Sequence, residues 1–362
     1  MLTMLTMLTV LLSPVVGVGA ESMTRELVYV GDNHQTISCY GLDPSTGVLT
    51  TLDTTHAGPT PSFLTWNAQQ TVLYAVSEDY VHGHVSAFRV AQADGALTLI
   101  DTVTSGGAGP CHVRIHPSGR WLLVSNYGSG QVAVLPIRPD GGLDDPVDVQ
   151  HPGEHAHMTL CDPSGAWVFV PCLGSNWIAA YHFDPVQGRL APATVPTIAT
   201  AAGSGPRFLA QGGLDIYCVN ELASTVQPYA FDVTAGGLTP SGSPASLLPP
   251  GTTGTNTGGH LQISASGRYL YASNRGHNSI AVFSRNPSDG SLVHLADETG
   301  GGSVRTPRCF AIDPSGHYLL VVNQAADSLT IFSVDATSGL LALKSTTPVS
   351  HEPAFVGVMH GP

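Results

Sequence analysis

Short apolar runs separated by polar turns repeat along the chain. In each copy an apolar run leads into a turn that ends in Ser-Gly, a second apolar run closes on Asn, and a third run follows. The clearest copies are 111–135, 157–181, 261–283 and 308–332, and weaker ones begin at Phe63 and Phe208. The turn glycines of the four clear copies lie 46, 102 and 49 residues apart, with the Phe208 copy inside the long interval. The pattern therefore indicates an internal repeat with a period near 50.

β-Branched and aromatic residues alternate in these runs, as in Trp121–Ser125 and Tyr269–Ser273. This alternation predicts β-strands. A fourth strand is expected after the next polar turn, for example in 141–149 and 188–195. Four strands in each repeat of 40–50 residues are typical of a propeller blade.

The two chain ends predict how such a ring closes. Residues 27–43 form one further copy without its leading strand, and 353–359 resembles that missing strand. We therefore expect an all-β fold: one domain over 23–362, a seven-bladed β-propeller of four-stranded antiparallel blades, closed by pairing of the N- and C-terminal strands. Closure removes a sheet edge that would otherwise invite aggregation. A pair of β-sandwiches is the alternative, and the regular period argues against it.

Composition excludes several classes of protein. The 41 glycines and 27 prolines argue against a helical bundle, because both residues break helices. With 13 basic and 26 acidic residues, the formal net charge is −13, which disfavours a nucleic-acid partner. Lys344 is the only lysine, so no P-loop is present. Six cysteines show no CxxC spacing, so neither a zinc ribbon nor a redox motif is expected.

Residues 1–22 allow two interpretations. The apolar stretch Leu8–Val18 is too short to span a membrane and resembles a signal-peptide core, but no Lys or Arg precedes it. Alternatively Met23 is the true start. If Met23 is the start, a cytoplasmic protein is expected. If residues 1–22 contain a signal peptide, an exported protein is expected. No other segment is expected to cross a membrane.

Two repeat positions are predicted to meet at one mouth of the central channel, since the start of an inner strand lies beside the end of its antiparallel neighbour. The first ring follows the Pro or small residue that opens each inner strand: Ser62, Cys111, His157, Arg207, Arg308 and Ala354, with Gly259 or His260 in the sixth blade. The second ring follows the residue, usually Asn, that closes the second strand: Glu78, Tyr127, Cys172, Glu221, Arg275 and Gln324.

The residue types in these rings indicate a ligand site. A position that only stabilised the repeat would carry one residue type in every blade, as the Asn does at Asn126, Asn220, Asn274 and Asn323. The ring positions vary instead, and many are charged, in a chain with only 11% charged residues. The alternative is that these charges merely pair with one another around the rim.

Three segments resemble the lactonase family of seven-bladed propellers: HAHMTLCDPSG (155–165), GPRFLA with YCVNELASTVQPYAFD (205–210 and 217–232) and SGRYLYASNRGHNSIAVF (266–283). That family includes the propeller-type 6-phosphogluconolactonases and the fungal 3-carboxy-cis,cis-muconate lactonizing enzyme. The resemblance covers residues 26–360. It implies a catalytic set of His157, Arg207, Glu221 and Arg275, with His155 as the alternate to His157.

The resemblance also implies a reaction, the hydrolysis of 6-phospho-D-glucono-1,5-lactone to 6-phosphogluconate in the pentose phosphate pathway. Lactone opening needs a base to activate water, and donors for the developing oxyanion. Either His157 or Glu221 would be the base. If His157 is the base, Glu221 would orient it. Arginine presents forked donors that suit an oxyanion, carboxylate or phosphate. Further substrate contacts are expected from His155, Glu78, Arg308 and Tyr127, with Arg308 the candidate for the phosphate.

Other functions remain open at this stage. The same residues could run the reverse reaction and close a muconate into a lactone, or the propeller could bind a ligand without catalysis. A metal site at His155 and His157, with Cys161 nearby, lacks an evident third ligand in the pocket. We therefore predict a metal-independent enzyme without a cofactor, acting on a small lactone or carboxylate.

Two departures from the family pattern are present. The Phe208 copy lacks about two residues in its first turn, which bears on the position of Arg207. His260 stands where a Glu is expected before the hydrophobic strand.

Overall fold

The computed structural model describes residues 25–360, which form seven antiparallel sheets arranged as a propeller. The predicted fold class is confirmed. The second strand of each sheet lies between neighbouring sheets and is buried almost throughout, as in β5 and β26 below, which explains its continuous apolar sequence. The fourth strands alternate between half-buried and exposed residues, because they form the outer edge. The expectation for residues 1–22 lies outside the described residues.

Blade 1 joins the two chain ends and comprises β1 (Glu26–Asp32), β2 (Thr36–Leu42), β3 (Leu49–His56) and β29 (Pro353–Met359). Blade 2 comprises β4 (Leu64–Trp66), β5 (Val72–Ser77), β6 (His84–Val90) and β7 (Leu97–Thr104). Blade 3 comprises β8 (Pro110–Ile115), β9 (Trp121–Asn126), β10 (Gln131–Pro136) and β11 (Asp148–Gln150). Blade 4 comprises β12 (Leu160–Cys161), β13 (Trp167–Cys172), β14 (Trp177–Asp184) and β15 (Arg189–Ala199).

Blade 5 has a short extra strand and comprises β16 (Pro206–Gly212), β17 (Asp215–Asn220), β18 (Thr225–Asp232), β19 (Gly237–Pro240) and β20 (Ala245–Ser246). Blade 6 comprises β21 (Thr257–Ile263), β22 (Tyr269–Arg275), β23 (Ser279–Arg285) and β24 (Leu292–Glu298). Blade 7 comprises β25 (Pro307–Ile312), β26 (Tyr318–Asn323), β27 (Ser328–Val334) and β28 (Leu341–Pro348). Two short 3-10 turns are present at Gly300–Gly302 and Gln324–Ala326.

The ring closes as the sequence predicts. Strand β29 pairs antiparallel with β1, with Leu27 opposite Met359 and Gly31 opposite Phe355. The last strand of the chain thus becomes the inner strand of blade 1. No helix within residues 25–360 is long and apolar enough to span a membrane.

Buried tyrosines connect four of the seven second strands to the next blade. The hydroxyls of Tyr29, Tyr74, Tyr217 and Tyr271 donate to the carbonyls of Gly95, Gly141, Gly290 and Gly339, at 2.7–2.9 Å. Each acceptor lies in the outer turn of the neighbouring blade. A buried phenol needs a hydrogen-bond partner, so these bonds satisfy the tyrosines and fix adjacent blades to each other.

The shortened turn of the Phe208 copy does not displace Arg207. Strands β16 and β17 meet in a tight hairpin in which Gly212 pairs with Asp215, and Gly213 adopts a positive φ of 69°. Glycine tolerates this left-handed conformation without strain. The missing residues lie at the far end of the strand from Arg207, so the start of the strand keeps its register.

A buried glutamate at the ring closure makes stability depend on pH. Burial, followed by repulsion from Asp313, raises the pKa of Glu26 to about 7. The folded chain therefore holds this proton more tightly than the unfolded chain, so the stabilisation is complete below the ordinary pKa and is lost as the pH rises through 7. Glu26→Gln removes this titration. We therefore expect the change in the free energy of unfolding caused by Glu26→Gln to be more stabilising at pH 8.5 than at pH 4, by roughly 3 kcal/mol.

Urea unfolding at both pH values measures this effect. Glu298→Gln, on the outer strand β24, is the control for loss of a carboxylate. An equal effect of Glu26→Gln at the two pH values would contradict the prediction.

Candidate active site

A β-bulge at the start of the inner strand directs the first-ring residues. In β16, Pro206 pairs with Asn220 and Phe208 pairs with Val219, so Arg207 is an extra residue without a partner. The same shift isolates Cys111, Arg308 and Ala354 in β8, β25 and β29. In β21 the bulge contains both Gly259 and His260. Bulges redirect side chains and are common beside active sites.

A backbone hydrogen bond holds the second ring against the first. The amide of Glu221 donates to the carbonyl of Gly205 at 2.7 Å, two residues before Arg207. Gly205 has a positive φ of 63°, which turns its carbonyl toward the neighbouring strand. Equivalent bonds run from Glu78, Tyr127 and Gln324 to Thr60, Gly109 and Thr306. The two rings therefore form one rim, as the sequence predicts.

Blade 4 corrects one assignment. There the amide of Leu173 donates to the carbonyl of His155, and Ala156 bridges to Cys172. Cys172 thus occupies the position that Asn fills in other blades, and Leu173 is the second-ring residue. The prediction of Cys172 was wrong by one residue, because no Asn marks the end of this strand in the sequence.

Arginine and glutamate side chains converge at this mouth. One oxygen of Glu221, Oε2, lies 2.8 Å from Arg207 Nε and 2.8 Å from Arg275 Nη2. Arg308 Nη2 lies 3.5 Å from Glu78 Oε2, which also accepts the hydroxyl of Ser62. The expected pairing of rim charges therefore does occur. It is incomplete, because three arginines face two glutamates and leave a formal charge of +1.

The arginines differ in depth. The Arg207 side chain is 5% exposed, against 15% for Arg275, 19% for Glu221 and 22% for Arg308. Burial, then the nearby charge of Arg275, lowers the pKa of Arg207 to about 10. Its Nη1 donates to the carbonyl of Gly259 at 2.6 Å, while its Nε contacts Glu221 without the alignment of a hydrogen bond. Arg207 therefore lies deeper in the channel than Glu221 and contacts its carboxylate from the inner side.

His157 is a buried, neutral imidazole. Burial, followed by the charges of Arg207, Arg308 and Arg275, lowers its pKa well below the ordinary value. Its Nδ1 is buried and has no hydrogen-bond partner among residues 25–360. Within the same residues no hydrogen bond joins it to Glu221, whose carboxylate contacts the arginines, so the expectation that Glu221 orients His157 is not met.

An aromatic stack borders the mouth beside His157. The rings of Tyr127 and His155 are parallel, with centroids 4.2 Å apart, and Tyr127 meets His157 edge-on at 5.6 Å. Burial and the negative charge of Glu221 raise the pKa of Tyr127, so it remains a phenol that can donate a hydrogen bond. All eight predicted site residues thus contact at least one other member of the set.

Three contributors lie outside the predicted set. Ser62 donates to Glu78, the Tyr80 hydroxyl lies 3.3 Å from Glu78 Oε1, and Gly258 accepts a hydrogen bond from Arg275 at 3.0 Å. The first-ring pattern already contained Ser62, but nothing in it assigned a role. A backbone carbonyl such as that of Gly258 leaves no trace in the sequence.

Beneath the first ring lies a cavity of about 20 Å³. Its lining includes Ser62, Cys111, His157, Arg207 and Arg308. This volume suits one water molecule and is far below the several hundred Å³ of a typical small-molecule pocket. A sugar ring must therefore bind on the outer side of the cluster, against the more exposed Glu221, Arg275 and Arg308.

The alternative metal site is not assembled. Cys161 belongs to β12 and lines the opposite end of the channel, while the His155 ring stacks on Tyr127. No three metal-ligating side chains come together in the described part of the chain. All six cysteines are free and buried there.

Comparison with known proteins assigns the fold to a family. The family model described as Lactonase, 7-bladed beta-propeller matches residues 23–358. The chain belongs to this lactonase family. Its similarity to individual lactonases extends over nearly the whole length of each protein. The 6-phosphogluconolactonase of Serratia proteamaculans is 30% identical over 338 residues, covering 92% of this chain and 99% of that protein.

Two further lactonases are similar over comparable lengths. The 6-phosphogluconolactonase of Bacillus subtilis is 28% identical over 354 residues, covering 93% of this chain and 99% of that protein. Among solved structures, the periplasmic gluconolactonase PpgL of Pseudomonas aeruginosa superposes with a TM-score of 0.87 at 29% identity, covering 94% of this chain and 100% of that one. The similar lactonases thus include enzymes named for the phosphorylated and for the unphosphorylated sugar.

Proposed function

We propose that this protein hydrolyses 6-phospho-D-glucono-1,5-lactone to 6-phosphogluconate at the channel mouth formed by Arg207, Glu221, Arg275, Arg308 and Glu78, here called the charged mouth. The observation that carries the proposal is the carboxylate of Glu221 between Arg207 and Arg275, in a rim with one surplus arginine. A cationic mouth on a chain of net charge −13 selects an anionic ligand locally. The relatives named 6-phosphogluconolactonase support the same substrate.

The geometry suggests a role for each side chain. Glu221 Oε1 has no hydrogen-bond partner among residues 25–360 and takes a proton from the attacking water. As the new C–O bond forms, the carbonyl oxygen becomes an oxyanion, which Arg275 stabilises. Collapse then breaks the bond between the carbonyl carbon and the ring oxygen, and Glu221 returns the proton to that oxygen. Arg207 is a positioning residue that holds Glu221, and neutral His157 lines the floor.

Unphosphorylated gluconolactone is the second candidate substrate. Glu78 lies 3.5 Å from Arg308 and offsets part of the charge that a phosphate would meet. The similarity to PpgL, which is named a gluconolactonase, points the same way. A cytoplasmic location belongs to the proposal of the phosphorylated substrate, because an exported protein would meet unphosphorylated sugars. Mass spectrometry of the mature N-terminus distinguishes the two locations.

A pH-stat assay of both lactones tests the proposal. After subtraction of spontaneous hydrolysis, we expect kcat/KM of about 10⁴ M⁻¹s⁻¹ or more for the phosphorylated lactone and a value at least tenfold lower for gluconolactone. Arg308→Met should remove this preference while sparing gluconolactone. Equal rates for both would favour the second candidate, and no turnover of either by folded protein would refute lactonase activity.

The low basicity of His157 predicts the pH profile of this reaction. Because burial and the neighbouring arginines hold its pKa well below the ordinary value, the imidazole does not titrate near pH 6.5 and its protonation does not switch the site off there. We therefore expect kcat/KM, corrected for spontaneous hydrolysis, to show no inflection near pH 6.5. An inflection there that disappears in His157→Asn, but persists in His155→Asn, would contradict this account.

A further inference from the structure

The channel opens at its other end into a second cavity of about 900 Å³, here called the far mouth. The inner strands of all seven blades contribute to its wall. A layer of packed aromatic rings separates it from the charged mouth, because Phe63, Phe208 and His260 line both cavities. Phe63 packs on Phe355 at 4.8 Å and Phe208 packs on His260 at 4.3 Å between ring centroids. The far mouth is therefore a compartment distinct from the proposed catalytic site.

A single arginine without a counter-ion lines the far mouth. Arg114 follows His112 by two residues on β8, so both lie on the channel face of the strand. Among residues 25–360, no carboxylate lies within 4.0 Å of its guanidinium, and no acceptor is hydrogen-bonded to it. Asp162 is also on the wall, but its oxygens accept bonds from Ser164 and Trp167 of its own turn. The positive charge of Arg114 is thus left for a ligand.

One further polar group of the far mouth has no partner. The indole nitrogens of Trp121, Trp167 and Trp177 donate to backbone carbonyls, at 2.8–3.0 Å. Trp66 lines the far mouth, and its indole nitrogen makes no such bond within the described chain. The Trp66 indole nitrogen is thus left to donate to a ligand.

We propose that the far mouth binds a small organic monoanion: a carboxylate on an aromatic or branched apolar body. The carboxylate would pair with Arg114, whose planar fork matches it. The apolar body would pack on Trp66, Ile115 and Ile312. The wall combines apolar side chains with polar ones such as His112, Asp162 and Gln262. Arg114 offers a single positive charge, which disfavours a doubly charged sugar phosphate.

Calorimetry with 4-hydroxybenzoate as the probe tests the proposal on the whole protein. We expect binding of one molecule per chain, weakened at least tenfold by Arg114→Met, because a hydrogen bond to a charged group is lost. The neutral isostere 4-hydroxybenzamide should bind the wild-type protein more weakly than 4-hydroxybenzoate, by a similar factor. Arg89→Met, which removes an exposed arginine from β6, is the matched control and should bind normally.

A second measurement locates the probe whether or not Arg114→Met folds. Trp66 fluorescence should respond to the probe in wild type and lose this response in Trp66→Phe, and crystals with the probe should show its carboxylate on Arg114. Absence of binding at 10 mM probe would overturn the proposal. If Arg275→Met abolished binding of the probe while Arg114→Met retained it, the probe would lie at the charged mouth, and the proposal would also be overturned.

Discussion

Glu221→Gln is expected to lower kcat/KM for the phosphorylated lactone by about 10²- to 10⁴-fold, the usual contribution of a general base. The substitution keeps the shape of the side chain but removes the group that takes the proton from water. It also leaves Arg207 and Arg275 without their shared counter-charge. Breaking a buried ion pair costs about 3–5 kcal/mol, so some loss of stability is expected as well.

The chain offers a matched control for that loss of stability. Asp215 pairs with Arg285 between blades 5 and 6, with side chains 16% and 5% exposed, close to the 19% and 5% of Glu221 and Arg207. Asp215→Asn should therefore lower the melting temperature by a similar amount without changing kcat/KM. If both substitutions reduced kcat/KM equally, the effect of Glu221→Gln would be structural, and the assignment of Glu221 as the general base would be wrong.

Arg207→Met is expected to reduce kcat/KM about 10²-fold without lowering stability. The pKa of about 10, against an ordinary 12.5, means that the fold holds this charge at a cost of order 3 kcal/mol. Glu221 keeps Arg275 as its partner when Arg207 is removed, and a methionine fills most of the volume. The free energy of unfolding should therefore stay equal or rise by up to about 3 kcal/mol, while Glu221 loses its support from below.

Arg285→Met provides the contrast for this prediction. Arg285 donates to Tyr217, Gly212 and Gly267 and pairs with Asp215, which has no second arginine beside it within residues 25–360. Its loss should destabilise the protein by about 3–5 kcal/mol and leave catalysis intact. Urea unfolding and lactone assays on the two variants measure both effects. A marked loss of stability in Arg207→Met would show that the Arg207 charge stabilises the fold.

The repeat predicted the architecture because each blade repeats the same physical requirements. A second strand packed between sheets must be apolar throughout, and the tight turn before it needs glycine, so both signals recur in the sequence. Even the closing strand 353–359 coincides with β29. The shortest strands carried less signal. In blade 3 the predicted fourth strand, 141–149, is reduced to β11 (Asp148–Gln150) and one bridge at Leu143.

The rim could be predicted as a set of positions, but its interactions could not. The bulge that isolates Arg207 is one extra residue, and a two-residue period read along a single strand does not reveal it. Pairing of Glu221 with two arginines depends on depth in the channel, which differs between side chains at equivalent positions. The far mouth was missed because its inner strands are as short as two residues in β12, too short to show which side chains face the channel.

The structure of the protein with 6-phosphogluconate bound tests the central claim most directly. If the charged mouth is the catalytic site, the product carboxylate will lie within about 3 Å of Arg275, beside Glu221, and its phosphate will lie on Arg308. Product bound at the far mouth on Arg114, or on the outer faces of the blades with the rim unoccupied, would contradict the assignment.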